Sequence, residues 1–381
     1  MKPKRILLLA DSDALWTQRY VQYLLLPEEY EIVIFPIWGD GKRFADYYDE
    51  HRVTVYRDAH TLPLIRHIPR LRMWARIALN ARDLRALGPF DVVHNHYLSQ
   101  RDLSLGMRLA KRFHARWIGS FWGSDLMRSS RTALRLMAPY LKRCDGITVH
   151  SELNRGMLRR LYGDAVADKT TLLYFGQIGY QNIDAVRRRE SKDDCKADFG
   201  IEKDRYVICV GYSASAAQQQ LAVVEAMSTL PEETQKKIAL VLQQTYLNDD
   251  PDYVARVREA AGRLHCQTVV LTEFMDGMQS ARLRLAAELF ILAIKTDAFS
   301  GSLQEYLYAG ATVFKGDWLG YPQLDGMGIH LTSFADFSEI PELIKKAMKG
   351  DIPPLTQEQR AMFPRLYSWD AVRESWLTLY E

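Results

Sequence analysis

The sequence predicts an α/β protein of two doubly wound domains, each a parallel sheet covered by helices. At 381 residues, the chain is longer than one hydrophobic core usually serves, so two domains are expected. Short β-rich runs alternate with longer amphipathic stretches, beginning with residues 5–10, 14–26 and 30–35. That alternation is typical of parallel strands joined by helical crossovers. The alternation of strand-like and helix-like runs is interrupted once and then resumes, which predicts two such sheets in tandem.

Strand-like runs define the two halves of the chain. The first series continues through residues 91–94, 117–120 and 146–150, and the second consists of residues 206–211, 238–242, 269–271, 289–293 and 312–314. Between the two series lies a charge-rich stretch with little apolar periodicity. We therefore predict an N-terminal domain over residues 1–175, a linker over 176–203, a C-terminal domain over 204–363 and a closing helix over 364–381.

Charge, hydropathy and cysteine content exclude several classes of protein. A net charge of +3 and a pI near 8.5 are too mild for a protein whose main partner is nucleic acid. Basic residues precede the first apolar run, as in a signal peptide, but Asp11 and Asp13 end that run at once, so a buried strand explains it better. No apolar stretch approaches the roughly 20 residues that a bilayer requires. The four cysteines match no zinc or redox spacing and are expected to be reduced thiols of a cytoplasmic protein.

The most informative segment follows the strand predicted over residues 289–293. A turn of small residues, Ser300-Gly301-Ser302, separates that strand from a helix. The first N–H groups of a helix have no partner within it, and together with the helix dipole they attract anions. The turn therefore predicts a site for a diphosphate, with Lys295 beside it as a cation. Ser302 and Glu305 also have the spacing of a capping box, which would only satisfy helix amides, and the two roles are compatible.

Two acids frame this turn, since Asp297 is followed by seven residues and then by Glu305. That spacing resembles the acidic motif of the GT-B glycosyltransferases of family four, and looser similarity extends to residues 91–97, 121–126, 144–148 and 367–372. The resemblance implies two Rossmann-like domains facing a central cleft, with the closing helix crossing back onto the N-terminal domain. It also implies that Asp297 faces the donor sugar and that Glu305 binds the ribose hydroxyls of a nucleotide diphosphate sugar. The first acid is Asp where the family usually has Glu, so its reach is shorter.

The chain departs from that family at two places. Trp122 occupies the position where the family commonly has a histidine that faces the sugar. The Arg and Lys that usually grip the phosphates are absent after Gly211, so Lys295 and the helix amides become the phosphate-binding candidates, with Ser213 or Gln219 as neutral donors. This variant also resembles the acetamido-dideoxygalactose transferases of surface polysaccharide synthesis, through residues 243–246 and 252–256. The donor-binding candidates are Gly211, Tyr212, Ser213, Gln219, Lys295, Phe299, Ser300, Gly301 and Ser302, and Asp297 and Glu305 are the catalytic ones.

Polar residues at the ends of the N-terminal strands are the candidates for an acceptor site, because ligands of such sheets bind beyond the carboxyl ends of the strands. Asp125 is a candidate base or, alternatively, only a helix cap after the permissive Gly123. His94 and His96 point the same way along a strand, either as metal ligands or, with no third ligand nearby in sequence, as a hydrogen-bonding pair. The predicted catalytic residues here are Asp125 and His96, and the acceptor-binding ones are Asp13, Trp122, Gly123 and Ser124.

Two Asp-x-Asp sequences have the form that metal-dependent transferases use for a nucleotide diphosphate. Asp11-Ser-Asp13 ends the first strand, where an acidic turn or cap is the default, and Asp250-Pro-Asp252 lies in a loop. Neither has the setting of a metal site, so no metal is expected.

A basic segment precedes residue 90. Its arginines, Arg66, Arg70, Arg72, Arg76, Arg82 and Arg85, face a single acid and alternate with apolar residues. Such a helix can lie on an anionic membrane or bind the diphosphate of a lipid-linked acceptor. It is equally explained as the solvated face of a helix whose apolar side covers the sheet. A peripheral position on the inner face of the cell membrane is thus one prediction for this cytoplasmic protein.

These features together predict a hexosyltransferase-like glycosyltransferase. It would move a sugar from a nucleotide diphosphate sugar to a saccharide or lipid-linked saccharide acceptor in surface polysaccharide or glycoconjugate synthesis. The resemblance implies retention of anomeric configuration without metal or other cofactor. A nucleotide-sugar 2-epimerase shares the architecture but would need internal acid and base groups. A catalytically silent partner subunit is a third interpretation, favoured by the missing phosphate-gripping residues and opposed by the intact Asp297 and Glu305.

Overall fold

The computed structural model describes residues 3–38, 41–57, 75, 83–246 and 250–381. The chain divides into two compact units. The first unit consists of Met1–Phe175 and Val372–Glu381, and the second unit of Gly176–Ala371. Each unit contains one parallel sheet whose strands are joined through helices. The prediction of two tandem α/β domains is therefore confirmed.

The sheet of the first unit has seven strands within the described residues. They are β1 (Arg5–Asp11), β2 (Glu31–Trp38), β3 (Thr54–Val55), β4 (Val92–His96), β5 (Arg116–Ser120), β6 (Gly146–Val149) and β7 (Thr170–Leu172). Their order is β3-β2-β1-β4-β5-β6-β7, with every pair parallel. The order reverses between β1 and β4, and ligands of doubly wound sheets bind at the carboxyl ends of the strands beside such a reversal. The α-helices of this part are Leu15–Tyr20, Ala45–Glu50, Gln100–Phe113, Ser124–Met127, Arg131–Leu141, Glu152–Tyr162 and Asp164–Ala167.

The sheet of the second unit has six strands within the described part of the chain. They are β8 (Tyr206–Val210), β9 (Ile238–Gln243), β10 (Gln267–Leu271), β11 (Leu289–Leu292), β12 (Thr312–Gly316) and β13 (Thr332–Phe334), in the parallel order β10-β9-β8-β11-β12-β13. The reversal falls between β8 and β11. The α-helices, of which the last ends in the first unit, are Gly179–Arg187, Lys192–Ala197, Gln220–Met227, Glu232–Gln235, Pro251–Gly262, Gly277–Ala286, Gly301–Ala309, Pro322–Gly326, Ile340–Lys349, Gln357–Tyr367 and Trp369–Leu377.

Burial on both faces explains why the central strands are continuous apolar runs. Ile6, Leu7, Leu8 and Leu9 of β1 have no exposed surface, and the same is true of all four residues of β11. Parallel strands covered by helices on both sides have this composition, whereas half-exposed strands alternate. The carboxyl ends of β1 and β11 are thus fixed by well-packed cores, and the polar residues that follow them begin from rigid positions.

Residues 176–203 differ from the predicted linker, because they form two helices of the second unit. Arg282 on the helix Gly277–Ala286 makes a two-pronged ion pair with Glu190, with both N···O distances 2.7 Å. Ser191 and Asp194 form a capping box at the start of the next helix, and the buried Lys196 donates to the backbone oxygens of Lys203 and Arg205. Glu190, Asp194 and Lys196 of this charge-rich stretch therefore hold its helices in place.

The closing segment contains two helices where one helix over 364–381 was predicted. Ser368 separates them, because its extended backbone ends the first helix and its side chain accepts the N–H of Ala371 in the second. Within the first unit, the indole N–H of Trp376 donates to the carbonyl of Tyr174 at 2.7 Å. The last ten residues are thus part of the first unit.

The predicted basic segment lies almost wholly outside the described residues, since Arg66, Arg70, Arg72, Arg76 and Arg82 are not among them. Arg85 is described and is exposed. The membrane role of this segment stays a prediction. In the part of the chain that the structure describes, no helix has the length and apolar character needed to cross a bilayer.

Candidate active site

The loop after β8 and the turn after β11 are held together at the reversal point of the second sheet. The backbone N–H of Lys295 donates to the carbonyl of Ala217 at 2.9 Å, and the side-chain amide of Gln219 donates to the carbonyl of Ala293 at 2.6 Å. Gly211 begins the loop at φ 63°, where an added Cβ would lie 2.9 Å from Oε1 of Gln218. The structure therefore brings the two predicted donor-binding segments into contact.

The turn before the helix Gly301–Ala309 is built around Asp297. Its Oδ2 accepts the N–H of Ser300 and the hydroxyl of Tyr321, both at 2.9 Å. Phe299 has φ 97°, a left-handed conformation that costs a bulky residue about 1–3 kcal/mol. The amide of Gln304 donates to the carbonyl of Phe299 at 3.1 Å, which helps to hold this conformation. The turn is thus fixed by hydrogen bonds within the unit.

The cap of this helix is two residues earlier than the capping box expected from the sequence. Ser300 is the N-cap, and its side chain accepts the N–H of Leu303 at 3.3 Å. Ser302 lies inside the first turn, and its hydroxyl accepts a hydrogen bond from Arg284. Ser302 and Glu305 therefore do not form a capping box, and an explanation of the pair as capping alone is wrong.

Burial raises the pKa of the Asp297 carboxyl, and the hydrogen bonds from Ser300 and Tyr321 oppose that rise. The same surroundings raise the pKa of the Tyr321 phenol, first because it is buried and second because it lies beside the Asp297 carboxylate. Tyr321 consequently remains a hydrogen-bond donor to Asp297 at neutral pH.

Glu305 lies one turn further along the helix and is held from two sides. Its Oε2 accepts a hydrogen bond from Nε of Arg284 at 3.3 Å. Its Oε1 lies against Gly179, where an added Cβ would approach to 2.2 Å. The Arg284 and Glu305 side chains are 5% and 16% exposed. The carboxylate is therefore paired and confined.

Arg284 is a feature that the sequence reasoning missed. It lies on the helix Gly277–Ala286 and also donates to Oε1 of Gln243 at 3.1 Å and to the hydroxyl of Tyr306 at 3.0 Å. Its guanidinium carbon lies 4.3 Å from the centre of the Tyr306 ring. A signal was present, because Arg284 follows the buried Ala281 by three residues and so lies on the same buried face of the helix.

The remaining donor-binding candidates differ in accessibility. Ser213 is fully buried and its hydroxyl accepts from Gln218 at 3.2 Å, while the backbone N–H of Tyr212 donates to the same side chain at 3.4 Å. Gln219 is engaged with the backbone of Ala293. Lys295 is exposed. The side chains of Ser213 and Gln219 thus shape the loop, and their role as phosphate donors stays a prediction.

Asp125 links two loops at the carboxyl edge of the first sheet. One oxygen accepts the N–H of Leu98 at 2.7 Å and the other accepts the N–H of Trp122 at 2.9 Å. Gly123, at φ 102°, allows the chain to turn into the short helix Ser124–Met127. Asp125 is 2% exposed, and burial raises the pKa of its carboxyl to about 7. Its observed contacts are structural, and its proposed role as a base stays a prediction.

The two histidines of β4 differ in their partners. His94 lies 2.7 Å from both the Tyr380 hydroxyl and the Ser120 hydroxyl. Nε2 of His96 lies 3.3 Å from Nδ1 of His94, while its own Nδ1 is buried without a hydrogen-bond partner among the described residues. Burial lowers the pKa of His94 to about 3 and holds that of His96 well below its usual value. Both rings are therefore neutral at physiological pH.

Aromatic rings surround His96 within the first unit. The ring centres of Tyr20 and Trp122 lie 4.5 and 5.3 Å from it, and Trp16 stacks on it at 6.0 Å. Trp122 is partly exposed and also lies 4.7 Å from Trp16. The structure thus places the predicted residues His96 and Trp122 together.

The other N-terminal candidates lie on neighbouring loops. The Asp13 carboxylate accepts the N–H groups of Gly41 and Arg43 at 3.1 and 3.0 Å. The hydroxyl of Ser124 donates to that of Tyr97 at 3.2 Å. Across the described ranges, no three His, Cys, Asp or Glu side chains gather as ligands for a metal ion.

Comparison with known proteins agrees with this architecture. Residues 25–176 match the family model described as Glycosyltransferase Family 4. HepE of Anabaena, solved with UDP and glucose, superimposes with a TM-score of 0.73 at 15% identity, over 98% of each chain. A glycosyltransferase of Rickettsia africae gives 0.74 at 13% identity, over 100% of this chain and 98% of its own. Sucrose-phosphate synthase of Thermosynechococcus elongatus gives 0.72 at 16% identity, over 99% of this chain and 98% of its own.

No sequence among the curated proteins matches the chain. At the identities above, the structural likeness establishes the fold, while the family match covers most of the first unit. The chain therefore has the GT-B fold, and residues 25–176 within it match the Glycosyltransferase Family 4 model.

Proposed function

We propose that the protein transfers a sugar from a nucleoside diphosphate sugar, bound by the second unit, to a saccharide or lipid-linked saccharide acceptor bound by the first unit. HepE, which shares the fold, has been solved with UDP and with UDP-glucose, which supports a donor of this class. We further propose that the reaction retains anomeric configuration, needs no metal and serves surface polysaccharide or glycoconjugate synthesis. Retention of configuration and independence of metal are proposed because Asp297 and Glu305 resemble the acidic motif of family four.

One observation carries the proposal: the helix Gly301–Ala309 begins at the reversal point of the sheet, directly after a preformed turn. The first N–H groups of a helix have no acceptor within it and form a natural anion site. The loop that starts at Gly211 is bonded to the same turn through Lys295 and Gln219. A diphosphate at this point would meet backbone donors fixed before it arrives, which is the condition for stabilising a charged leaving group.

The side chains of this site have distinct proposed roles. Lys295 is the exposed cation nearest in sequence to the turn, and we assign it to the leaving phosphate. Asp297 holds hydroxyls of the donor sugar, with Tyr321 keeping its carboxyl in place. Glu305 accepts hydrogen bonds from the ribose. For the acceptor, we assign Trp122 and Trp16 as an apolar platform and His96 as a neutral hydrogen-bonding group beside it.

Nucleotide binding provides the first test. UDP, GDP and dTDP are added separately to the full chain, and the unfolding temperature is measured. A ligand at 100 times its Kd stabilises a protein by about 2.7 kcal/mol, which is readily detected. At least one of the three diphosphates should raise the unfolding temperature. If none does so at millimolar concentration, the donor site is assigned wrongly.

A pair of variants separates the sugar from the nucleotide. Asp297→Asn should lower turnover of a labelled nucleotide sugar by about tenfold or more while leaving the shift caused by the diphosphate alone unchanged. Asp336→Asn is the matched control. Like Asp297, Asp336 accepts a backbone N–H from a residue shortly after it in the chain, here Ser338 at 2.8 Å. That variant should retain full turnover. Unchanged turnover in Asp297→Asn would contradict the proposed role.

The absence of a Lys or Arg between Gly211 and Gln220 favours a second candidate, a catalytically silent partner subunit. The same assay distinguishes it. A chain that binds a diphosphate but neither transfers nor hydrolyses any labelled UDP-, GDP- or dTDP-sugar would be such a subunit. Conversion of the donor into another nucleotide sugar without an acceptor would instead indicate an epimerase.

A further inference from the structure

We infer that Arg284 is a positioning residue that holds Glu305 in the geometry required for ribose recognition and neutralises its charge beside the bound diphosphate. This inference rests on the proposed donor site. It concerns a residue outside the acidic motif, on a helix that precedes the strand from which the motif begins.

The contacts of Arg284 fix its guanidinium in one position. Its three nitrogens donate to Gln243 of β9 and to Ser302, Glu305 and Tyr306 of the helix Gly301–Ala309. The group is buried and lies over the Tyr306 ring. A guanidinium presents its donors in a rigid planar fork, so satisfying four acceptors at once leaves it little freedom.

Glu305 inherits this rigidity. A glutamate near the start of a helix normally samples several rotamers, and ordering it costs conformational entropy. Here one oxygen is hydrogen-bonded to Arg284, and the other lies against Gly179, where any side chain would collide with it. The carboxylate is therefore oriented before a ligand binds, and less entropy remains to be lost on binding.

The charge of Arg284 also reduces the repulsion between Glu305 and a bound diphosphate. A lone carboxylate on the second turn of the helix would repel a diphosphate at the first turn, in a region where burial weakens solvent screening. Pairing with Arg284 cancels the charge of Glu305 while its remaining lone pairs still accept hydrogen bonds. The pair thus recognises hydroxyl groups without opposing the phosphates, in a site whose loop has no basic residue between Gly211 and Gln220.

The test compares ribonucleotides with their 2′-deoxy forms, because a purely structural arginine would affect both alike. Dissociation constants are measured by calorimetry on the full chain, for UDP against 2′-deoxy-UDP and for GDP against 2′-deoxy-GDP. Wild-type protein should prefer the ribonucleotide that it binds by about tenfold, the value of one hydrogen bond to a charged group. Arg284→Gln should reduce this preference to about twofold or less.

A control and a second variant keep the outcome interpretable. Arg282→Gln removes an arginine of the same helix that pairs with Glu190, and it should keep the wild-type preference. Arg284→Lys retains the buried positive charge if Arg284→Gln fails to fold, but an ammonium cannot serve the four acceptors together. It should also lose most of the preference, while the unfolding temperature reports whether the fold is intact.

Glu305→Gln distinguishes an error in the proposed donor site from an error in the role of Arg284. If Glu305→Gln leaves the preference for the ribose form intact, or if none of the diphosphates binds, then the proposed donor site is wrong and the inference falls with it. If Glu305→Gln abolishes the preference but folded Arg284→Lys and Arg284→Gln keep it, then the donor site stands and the role of Arg284 is overturned. Loss of the preference in both sets of variants supports the inference.

Discussion

Acidification from pH 7.5 to 5.5 should weaken the first unit through three buried histidines. Burial lowers the pKa of His94 to about 3 and that of His150 to about 4, and it holds that of His96 well below the ordinary value of 6.5. All three are neutral in the folded protein, whereas each binds a proton in the unfolded chain once the pH falls below about 6.5. The unfolded state then holds more protons, so stability present above that pH is lost as the pH falls.

The size of the effect follows from linkage. A group with an unfolded pKa of 6.5 and a much lower folded pKa loses RT ln(1 + 10^(6.5 − pH)) of stabilisation. Between pH 7.5 and 5.5 this amounts to about 1.4 kcal/mol for each histidine and about 4 kcal/mol for the three together. Asp125 acts in the opposite direction, because its raised pKa of about 7 favours the folded state in acid. Its contribution over this range is about 2 kcal/mol, so differences between variants are more informative than the total.

The variant His96→Phe isolates the contribution of one of the three histidines to the pH dependence of stability. Its ring lies among Tyr20, Trp16 and Trp122, so an apolar ring of similar size should be accepted, and the variant loses one buried polar atom that has no partner among the described residues. Urea unfolding at both pH values should show a pH-dependent loss about 1.4 kcal/mol smaller than in wild type.

His114→Asn is the matched control for this measurement. His114 is exposed and ends the helix Gln100–Phe113 at φ 52°, a conformation that Asn accepts readily. Its pH-dependent loss should equal that of the wild type. An unchanged pH dependence in His96→Phe, with the control behaving as stated, would refute the assignment of His96 as a buried neutral group.

Further substitutions test the structure around both sites. Gln304→Leu removes the amide that joins the strained turn to the rest of the second unit and should cost about 1–3 kcal/mol in urea unfolding, because buried partners lose their bonds. Gly179→Ala should displace Glu305 and weaken nucleotide binding measured by calorimetry, whereas Gly156→Ala, a helical glycine with nothing within 4 Å of the added methyl, should leave binding unchanged. Tyr380→Phe should destabilise the first unit by about 1–3 kcal/mol, because two buried hydrogen bonds of its hydroxyl are lost.

The strands and their functional ends could be predicted because both depend on local signals. β1 is apolar between Arg5 and Asp11 and β11 is apolar along its whole length, and small or polar residues follow both strands, so their ends are evident in the sequence. The register of the helix cap was missed by two residues, since Ser300 and Ser302 have equal intrinsic preference for the position. What selects Ser300 is Asp297, which binds the Ser300 N–H and fixes the turn before it.

Features that depend on distant contacts could not be predicted. Residues 176–203 are rich in charge and poor in apolar periodicity, and their helical state depends on partners such as Arg282, about 90 positions away from Glu190 in the chain. The role of Arg284 likewise could not be predicted without the position of Gln243, which lies at the end of β9 beside the helix Gly301–Ala309. Spacing along the chain carries no information about either contact.

The carboxylates that follow the parallel strands accept hydrogen bonds that hold their loops in place. The candidate residues differ in how much of each remains exposed. Asp125 and Asp13 each accept two backbone N–H groups, and Asp125 uses both of its oxygens and is almost fully buried. Asp297 also accepts hydrogen bonds, from the Ser300 N–H and the Tyr321 hydroxyl, but this residue remains partly exposed. A ligand hydroxyl can approach a carboxylate only where part of the residue is exposed. Asp297 can therefore hold its turn and still meet a ligand from solution, whereas Asp125, whose role as a base stays a prediction, is enclosed by the loops that it joins.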